Sequence, residues 1–173
     1  MSAQPVRLVL LDAEHDRKCF DSGIAPLDRY LREQVSQDIR RRVAACFVAV
    51  TDERRVAGYY TLASASVALG ELPEATARKL PRYPSIPAVR MGRLAVDRDF
   101  KGMGLGGALL AEALQRAALA EIAAYALIVD AKDETAAAFY RHHGFTALPS
   151  SPLRLFLPLA TVAGLTKAKP SMP

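Results

Sequence analysis

The sequence predicts a single mixed α/β domain. Short apolar runs alternate with segments whose apolar residues recur every four positions, and a glycine-rich turn joins a strand to a helix in mid-chain. The 173 residues contain no internal repeat and no linker that divides them, so one core is expected, burying roughly 70% of the unfolded surface. A composition of 51% hydrophobic and 24% charged residues excludes a disordered chain. No run of about 18 uncharged apolar residues is present to span a bilayer. The apolar stretch at residues 6–11 meets Asp12, Glu14 and Asp16 at once, unlike a signal peptide, so the expected compartment is the cytoplasm. Cys19 and Cys46 are too few for a disulfide framework or a four-ligand zinc site, and no metal is expected.

Residues 6–11 read as the first strand. Residues 26–43 read as a helix, with Leu27, Leu31, Val35, Ile39 and Val43 at a spacing of four, Pro26 in the first turn, and Arg29, Arg32, Ser36, Arg40 and Arg41 on the opposite face. Residues 45–50 and 56–64 read as a hairpin with Arg54 and Arg55 at its turn. A short helix over 71–80 follows, after which Pro81, Pro84 and Pro87 impose an extended loop carrying Arg82 and Tyr83. The remaining pattern is a strand over 88–96, a helix over 104–123 with Leu105, Leu109, Ala113 and Ala117 on one face, a strand over 124–131, a helix over 133–143, and strands over 146–148 and 153–157. The folded domain is expected over 1–162, with 163–173 as a flexible tail.

The net charge of +5 is concentrated. Between residues 76 and 101 lie Arg78, Lys79, Arg82, Arg90, Arg93, Arg98 and Lys101 against Asp97 and Asp99, which accounts for the whole excess. Such a segment suits an anionic partner, a nucleic acid or a phosphorylated cofactor, although a solvated basic face is the commoner reading and charge alone does not choose between them.

Lys101, Gly102, Met103, Gly104, Leu105, Gly106 and Gly107 lie between a strand and a helix. Absent side chains let an anion approach backbone N–H groups at a helix start, so the turn is a phosphate site by its physics. No Gly-Lys-Ser/Thr follows, which excludes a P-loop. The spacing of Gly102, Gly104 and Gly107 matches the dinucleotide fingerprint literally, with Asp130 available as its ribose acid. Against that reading, residues 97–100 separate the strand from the first glycine, whereas the dinucleotide turn is tight.

A second constellation runs from Asp133 to Phe145. Ala136 and Tyr140 lie four apart on one helical face, and Gly144 ends the helix. Together with Arg93-Leu94-Ala95-Val96-Asp97 and the glycine turn, this segment resembles the GCN5-related N-acetyltransferases, the GNAT family. Lys101 stands where arginine or glutamine is commoner, and Asp133 where asparagine is commoner. The resemblance implies a GNAT-like domain with a mixed central sheet flanked by helices, and acetyl-CoA in a V-shaped opening between two parallel strands, here 88–96 and 124–131. It implies pantetheine pairing with the backbone of Leu94, Ala95 and Val96, pyrophosphate on the amides from Lys101 to Gly107, further cofactor contacts at Asp133 and Ala136, and Tyr140 as the acid that protonates the departing thiolate. A phenol suits that task because its reference pKa of about 10 lies close to that of an alkyl thiol.

A narrower resemblance spans residues 20–158 and concerns the acetyltransferase toxins of bacterial toxin–antitoxin pairs. It is carried by Phe20-Asp21-Ser22-Gly23, Leu27-Asp28-x-Tyr30-Leu31, Gln37-Asp38, Gly58-Tyr59-Tyr60-Thr61-Leu62, Arg78-Lys79-Leu80-Pro81-Arg82-Tyr83-Pro84, the strand 92–97, and Phe156-x-Pro158. Ser22 stands where such toxins often carry cysteine. The implied reaction is acetylation of the α-amino group of aminoacyl-tRNA, which blocks translation. The implied partners are a ribbon-helix-helix antitoxin and a second copy of the chain. Arg78, Lys79, Arg82, Arg90 and Arg93 then become candidate RNA contacts. An α-amine beside an ester titrates at or below about 7.7 to 8.0, so a substantial neutral fraction exists at pH 7 without a base; no residue stands out as an obligatory base, and His142, His143 and Glu71 are not nominated. The competing acceptors are protein amines and cationic small molecules, the latter disfavoured by the positive charge. A non-catalytic nucleic-acid binder is a further alternative, opposed by the intact glycines and Tyr140.

Overall fold

The computed structural model describes residues 4–162, so the expected tail at 163–173 lies outside the described residues. In chain order the elements are β1 (Val6–Leu10), α1 (Ala25–Arg29), α2 (Val35–Arg40), β2 (Ala45–Thr51), β3 (Val56–Ala68), α3 (Glu74–Ala77), β4 (Ser85–Val96), α4 (Leu105–Leu119), β5 (Ala126–Asp130), α5 (Glu134–His142), β6 (Thr146–Leu148) and β7 (Ser151–Pro158). They build one seven-stranded sheet in the order β1-β2-β3-β4-β5-β7-β6. The first two neighbours pair antiparallel, as do β5 with β7 and β6 with β7, while β4 and β5 run parallel. A parallel pair needs a long crossover, which α4 supplies. The described residues fall into two compact units, one comprising residues up to 63 with 92–113, the other 64–91 with the chain from 114 onward.

In the first unit the helical stretch from Ala25 to Arg40 packs Leu31 and Val35, both fully buried, with Leu27 and Ile39 beside them. It is not one regular α-helix, because a π turn over Tyr30–Gln34 separates α1 from α2, with the Val35 amide donating to the Tyr30 carbonyl. A spacing of four overshoots the 3.6-residue period by about 40° per step, so the stripe would drift off the core. The wider turn takes up the excess and returns Val35 and Ile39 to the face of Leu27 and Leu31. Val43 does not extend the stripe. The helix ends with Arg42 at φ 59°, the amides of Arg42 and Val43 donating to the carbonyls of Ile39 and Asp38, and Val43 lies beyond the end, 58% exposed. The hairpin of β2 and β3 brings Cys46, Val48 and Val50 into the same core, where Phe20 packs edge-on against Tyr59 with ring centroids 5.6 Å apart. Cys46 is fully buried, which pushes its thiol up to about 12, whereas Cys19 is exposed.

The second unit has its own core of Val67, Ile86, Ala88, Ala126, Ile128 and Phe156. The helix expected over 71–80 shrinks to Glu74–Ala77, because Pro73, with extended backbone, serves as its N-cap. The strand expected from residue 88 begins at Ser85 and contains Pro87. Pro87 is tolerated because it precedes the ladder to β5, which starts at Ala88, and its carbonyl still accepts from the Tyr125 amide. The helix expected to residue 123 stops at Leu119, since its apolar face ends at Ala117 and Ile122 is 87% exposed.

Candidate functional site

The ladder between β4 and β5 runs from Ala88 opposite Ala126 to Met91 opposite Val129, and β4 then continues to Val96. Leu94, Ala95 and Val96, the expected pantetheine contacts, lie on that continuation. The strand is stopped at Asp97, whose carboxylate is 2% exposed and fully used. It accepts from the amides of Asp21 at 3.0 Å and Asp99 at 2.9 Å, and from Arg55 Nη2 at 3.1 Å. A 3-10 turn, Arg98–Phe100, follows. The connection is thus a separate turn, not the tight bend of a dinucleotide site, and Asp130 is taken up by Arg154 at 3.4 Å.

Gly102 and Gly104 adopt φ of 79° and 77°, a region that side chains rarely enter, and a Cβ at either position would meet no atom within 4 Å. The first backbone bond of α4 runs from the Ala108 amide to the Gly104 carbonyl. The amides of Leu105, Gly106 and Gly107 are therefore left without an intrahelical acceptor at the positive end of a 15-residue helix. Gly106 and Gly107 lie inside the helix rather than before it, and contribute amides unobstructed by side chains. Leu105 is buried and anchors the helix start, while Met103 is 47% exposed. Lys101 is tied down. Its Nζ donates to the Ser22 carbonyl at 2.7 Å, and Ser22 is held by its own Oγ donating to Asp28 at 2.6 Å. Ser22 thereby fixes the segment that leads into the glycine turn. An open glycine cradle with unsatisfied amides fits a pyrophosphate.

In the second unit Asp133 caps α5, accepting from the Ala136 amide at 2.8 Å, and this bond holds its carboxyl below the usual range. Aspartate and asparagine serve equally as such a cap, which accounts for the departure from the commoner residue. Ala136 is half-buried one turn before Tyr140. The Tyr140 ring is 8% exposed and sits edge-on between Phe139 and Phe145, with centroids at 5.3 and 5.5 Å. Burial pushes its phenol up to about 12. Among the described residues its hydroxyl makes no hydrogen bond, so the proton is held and uncommitted. His143 Nδ1 lies 2.9 Å from the Phe139 carbonyl, and Glu71 faces Arg154 at 3.6 Å, so neither is poised as a base.

The basic segment is divided. Lys79, Arg82 and Arg90 are exposed in the second unit, with Tyr83 63% exposed among them, and Arg78 is exposed but paired with Glu74 at 2.5 Å. Arg93 belongs to the first unit, where its guanidinium carbon lies 3.5 Å from the centroid of the Tyr30 ring. Arg98 faces Asp21 at 3.4 Å. Among the described residues no group of His, Cys, Asp and Glu is placed to hold a metal ion, and no helix is long and apolar enough to cross a membrane.

A strand running past its parallel partner, an open glycine turn before the next helix and a buried tyrosine on the helix after it are the elements expected of an acetyltransferase fold. Residues 42–147 match the acetyltransferase (GNAT) domain, and the chain belongs to that family. It is 40% identical over 144 residues to a tRNA-acetylating toxin of Mycobacterium tuberculosis, covering 82% of this chain and 85% of the relative. Among solved structures it superposes on AtaT complexed with acetyl-methionyl-tRNAfMet with a TM-score of 0.86 and 31% identity, covering 93% of this chain and 99% of that one. It is similarly close to a mutant AtaT toxin bound to the C-terminus of the antitoxin AtaR and acetyl-CoA, with a TM-score of 0.79, 28% identity, and coverage of 93% and 98%.

Proposed function

We infer that the chain is the toxin of a toxin–antitoxin pair, an N-acetyltransferase that moves the acetyl group of acetyl-CoA to the α-amine of aminoacyl-tRNA and so blocks translation. The observation that carries this is the near full-length likeness to a tRNA-bound acetyltransferase toxin, joined to an intact glycine turn and a buried tyrosine with an uncommitted proton. Acetyl-CoA supplies the acetyl group as an activated thioester. The amides of Leu105, Gly106 and Gly107 hold its pyrophosphate, and the β4 backbone from Leu94 to Val96 orients the pantetheine arm. The Val96 region offers the amide that polarises the thioester carbonyl. The uncharged acceptor amine, a good part of the amine at neutral pH, bonds to the acyl carbon as the carbon–sulfur bond breaks; Tyr140 delivers its proton to the departing sulfur, and the proton shed by the new amide nitrogen returns through solvent to the tyrosinate.

Lys79, Arg82 and Arg90, with Arg78 released from an exposed ion pair of little worth, are the landing residues for the RNA backbone. A ribbon-helix-helix antitoxin, a homodimer and a cytoplasmic location complete the proposal. Incubation with labelled acetyl-CoA and total charged tRNA tests it. Label recovered on the α-amino group of aminoacyl-tRNA is the expected result, and label only on protein or small amines overturns it.

A further inference from the structure

We propose that Arg93 is a preset fork for the phosphodiester nearest the reacting amine of the RNA substrate, held in place by stacking on Tyr30. This rests on the aminoacyl-tRNA reading and assigns one contact within it. Arg93 immediately precedes Leu94 on β4, so its backbone belongs to the strand that orients the acyl donor. Its guanidinium lies over the Tyr30 ring at 3.5 Å. Tyr30 is itself fixed, being 2% exposed, stacked on Tyr59 at 6.5 Å, and bonded through its hydroxyl to Asp38 at 2.8 Å. It is also the first residue of the π turn, the irregularity that resets the helix at this point.

In the same unit Arg55 and Arg98 each face a carboxylate. Arg93, half-buried, has no carboxylate partner and no hydrogen bond among the described residues. A cation brought partly out of water without an anion is costly, and the aromatic face offsets only part of that cost. Stacking also removes rotamer freedom while leaving the in-plane N–H edge open, the edge that takes a phosphate bidentately. Three residues of extended strand, about 10 Å, separate Arg93 from Val96. An aminoacyl ester and one ribose bridge that span from the amine to the nearest phosphate. The glycine turn proposed for the CoA phosphates follows the strand past Asp97 and the turn Arg98–Phe100.

The experiment compares wild type, Arg93→Gln and Arg93→Lys on aminoacyl-tRNA and on a small amino-acid ester, with CoA binding followed by calorimetry. Arg93→Gln is expected to raise KM for aminoacyl-tRNA about tenfold to a hundredfold. It should also flatten the slope of log affinity against log salt by about 0.7, the contribution of one phosphate on a single strand. Arg93→Lys keeps the charge and so the slope, but loses the fork, and its KM should still rise. The loss on aminoacyl-tRNA should exceed the loss on the ester at least tenfold, with CoA affinity near wild type. Equal losses on both acceptors, weakened CoA binding, or full rescue by lysine overturn the assignment. If Arg93→Gln melts at the assay temperature, the lysine variant alone decides by its KM. A wild-type protein inert on charged tRNA overturns the acceptor reading, whereas an active wild type with equal losses overturns only the role of Arg93.

Discussion

Tyr140 is buried between two aromatic rings, and the cost of ionising it there is what keeps its proton in place. Tyr140→Phe preserves the ring packing and removes only the donor, so kcat should fall by about 10² to 10⁴ while acetyl-CoA affinity is little changed. Steady-state kinetics beside CoA calorimetry check this, and unchanged turnover removes the residue from the mechanism. The direction of its shift also sets the pH profile. Burial favours the protonated phenol, so the acid stays loaded up to about pH 12. The acceptor amine must be uncharged, and its fraction rises through about pH 7 to 8. The rate on aminoacyl-tRNA should therefore climb and then hold level to pH 10, and a falling limb between pH 8 and 10 contradicts the assignment. That Tyr140 lies on a helix closed by Gly144 was legible from Ala136, Gly144 and Phe145 around it. That Asp133 acts as a helix cap was not, because a cap is a statement about one backbone amide, which residue type alone does not locate.

At the scale of elements, the glycines separate into two kinds. Gly104 sits at positive φ in open space, so Gly104→Glu costs about 1–2 kcal/mol of backbone strain without a clash. The variant should fold, and calorimetry should show CoA affinity reduced by about tenfold or more, because a carboxylate then occupies the anion site. Wild-type affinity in the folded variant removes the pyrophosphate from this turn. Gly58 in β3 is the opposite case. A Cβ there would lie 2.8 Å from Leu109 Cδ1 and 3.0 Å from the Ala95 carbonyl oxygen, so β3, β4 and α4 meet with no room for a methyl group. Gly58→Ala should destabilise the protein by about 1–3 kcal/mol in denaturant titration. Strands and helices were legible wherever periodicity ran long, as in the hairpin and α4. Boundaries failed where tertiary contacts decide them. The reading of α4 ran to residue 123, past Ala117, where its repeating apolar face ends. The π turn at Tyr30 was hidden because a spacing of four reads as helix whether or not the turn widens.

For the whole molecule, one basic segment in the sequence is divided between the two units. Lys79, Arg82 and Arg90 lie in one unit, while Arg93, Arg98 and Lys101 lie in the other, with Arg98 and Lys101 already engaged by Asp21 and the Ser22 carbonyl. Charge counted along a chain cannot tell solvated residues from committed ones. Reversal of Lys79 and Arg82 to glutamate should raise KM for aminoacyl-tRNA and flatten its salt dependence by about 0.7 per lost single-strand contact. A salt series of initial rates measures this, and an unchanged slope removes both residues from the RNA path. The two thiols sample the whole molecule in another way. Cys19 is open to solvent, whereas Cys46 is sealed in the first core with its thiol pushed up to about 12. An alkylating reagent should modify the native protein once, at Cys19, and reach Cys46 only when that core opens. The chain thus carries its own clock for opening: mass spectrometry of the second adduct against time reads how often the core of the first unit comes apart.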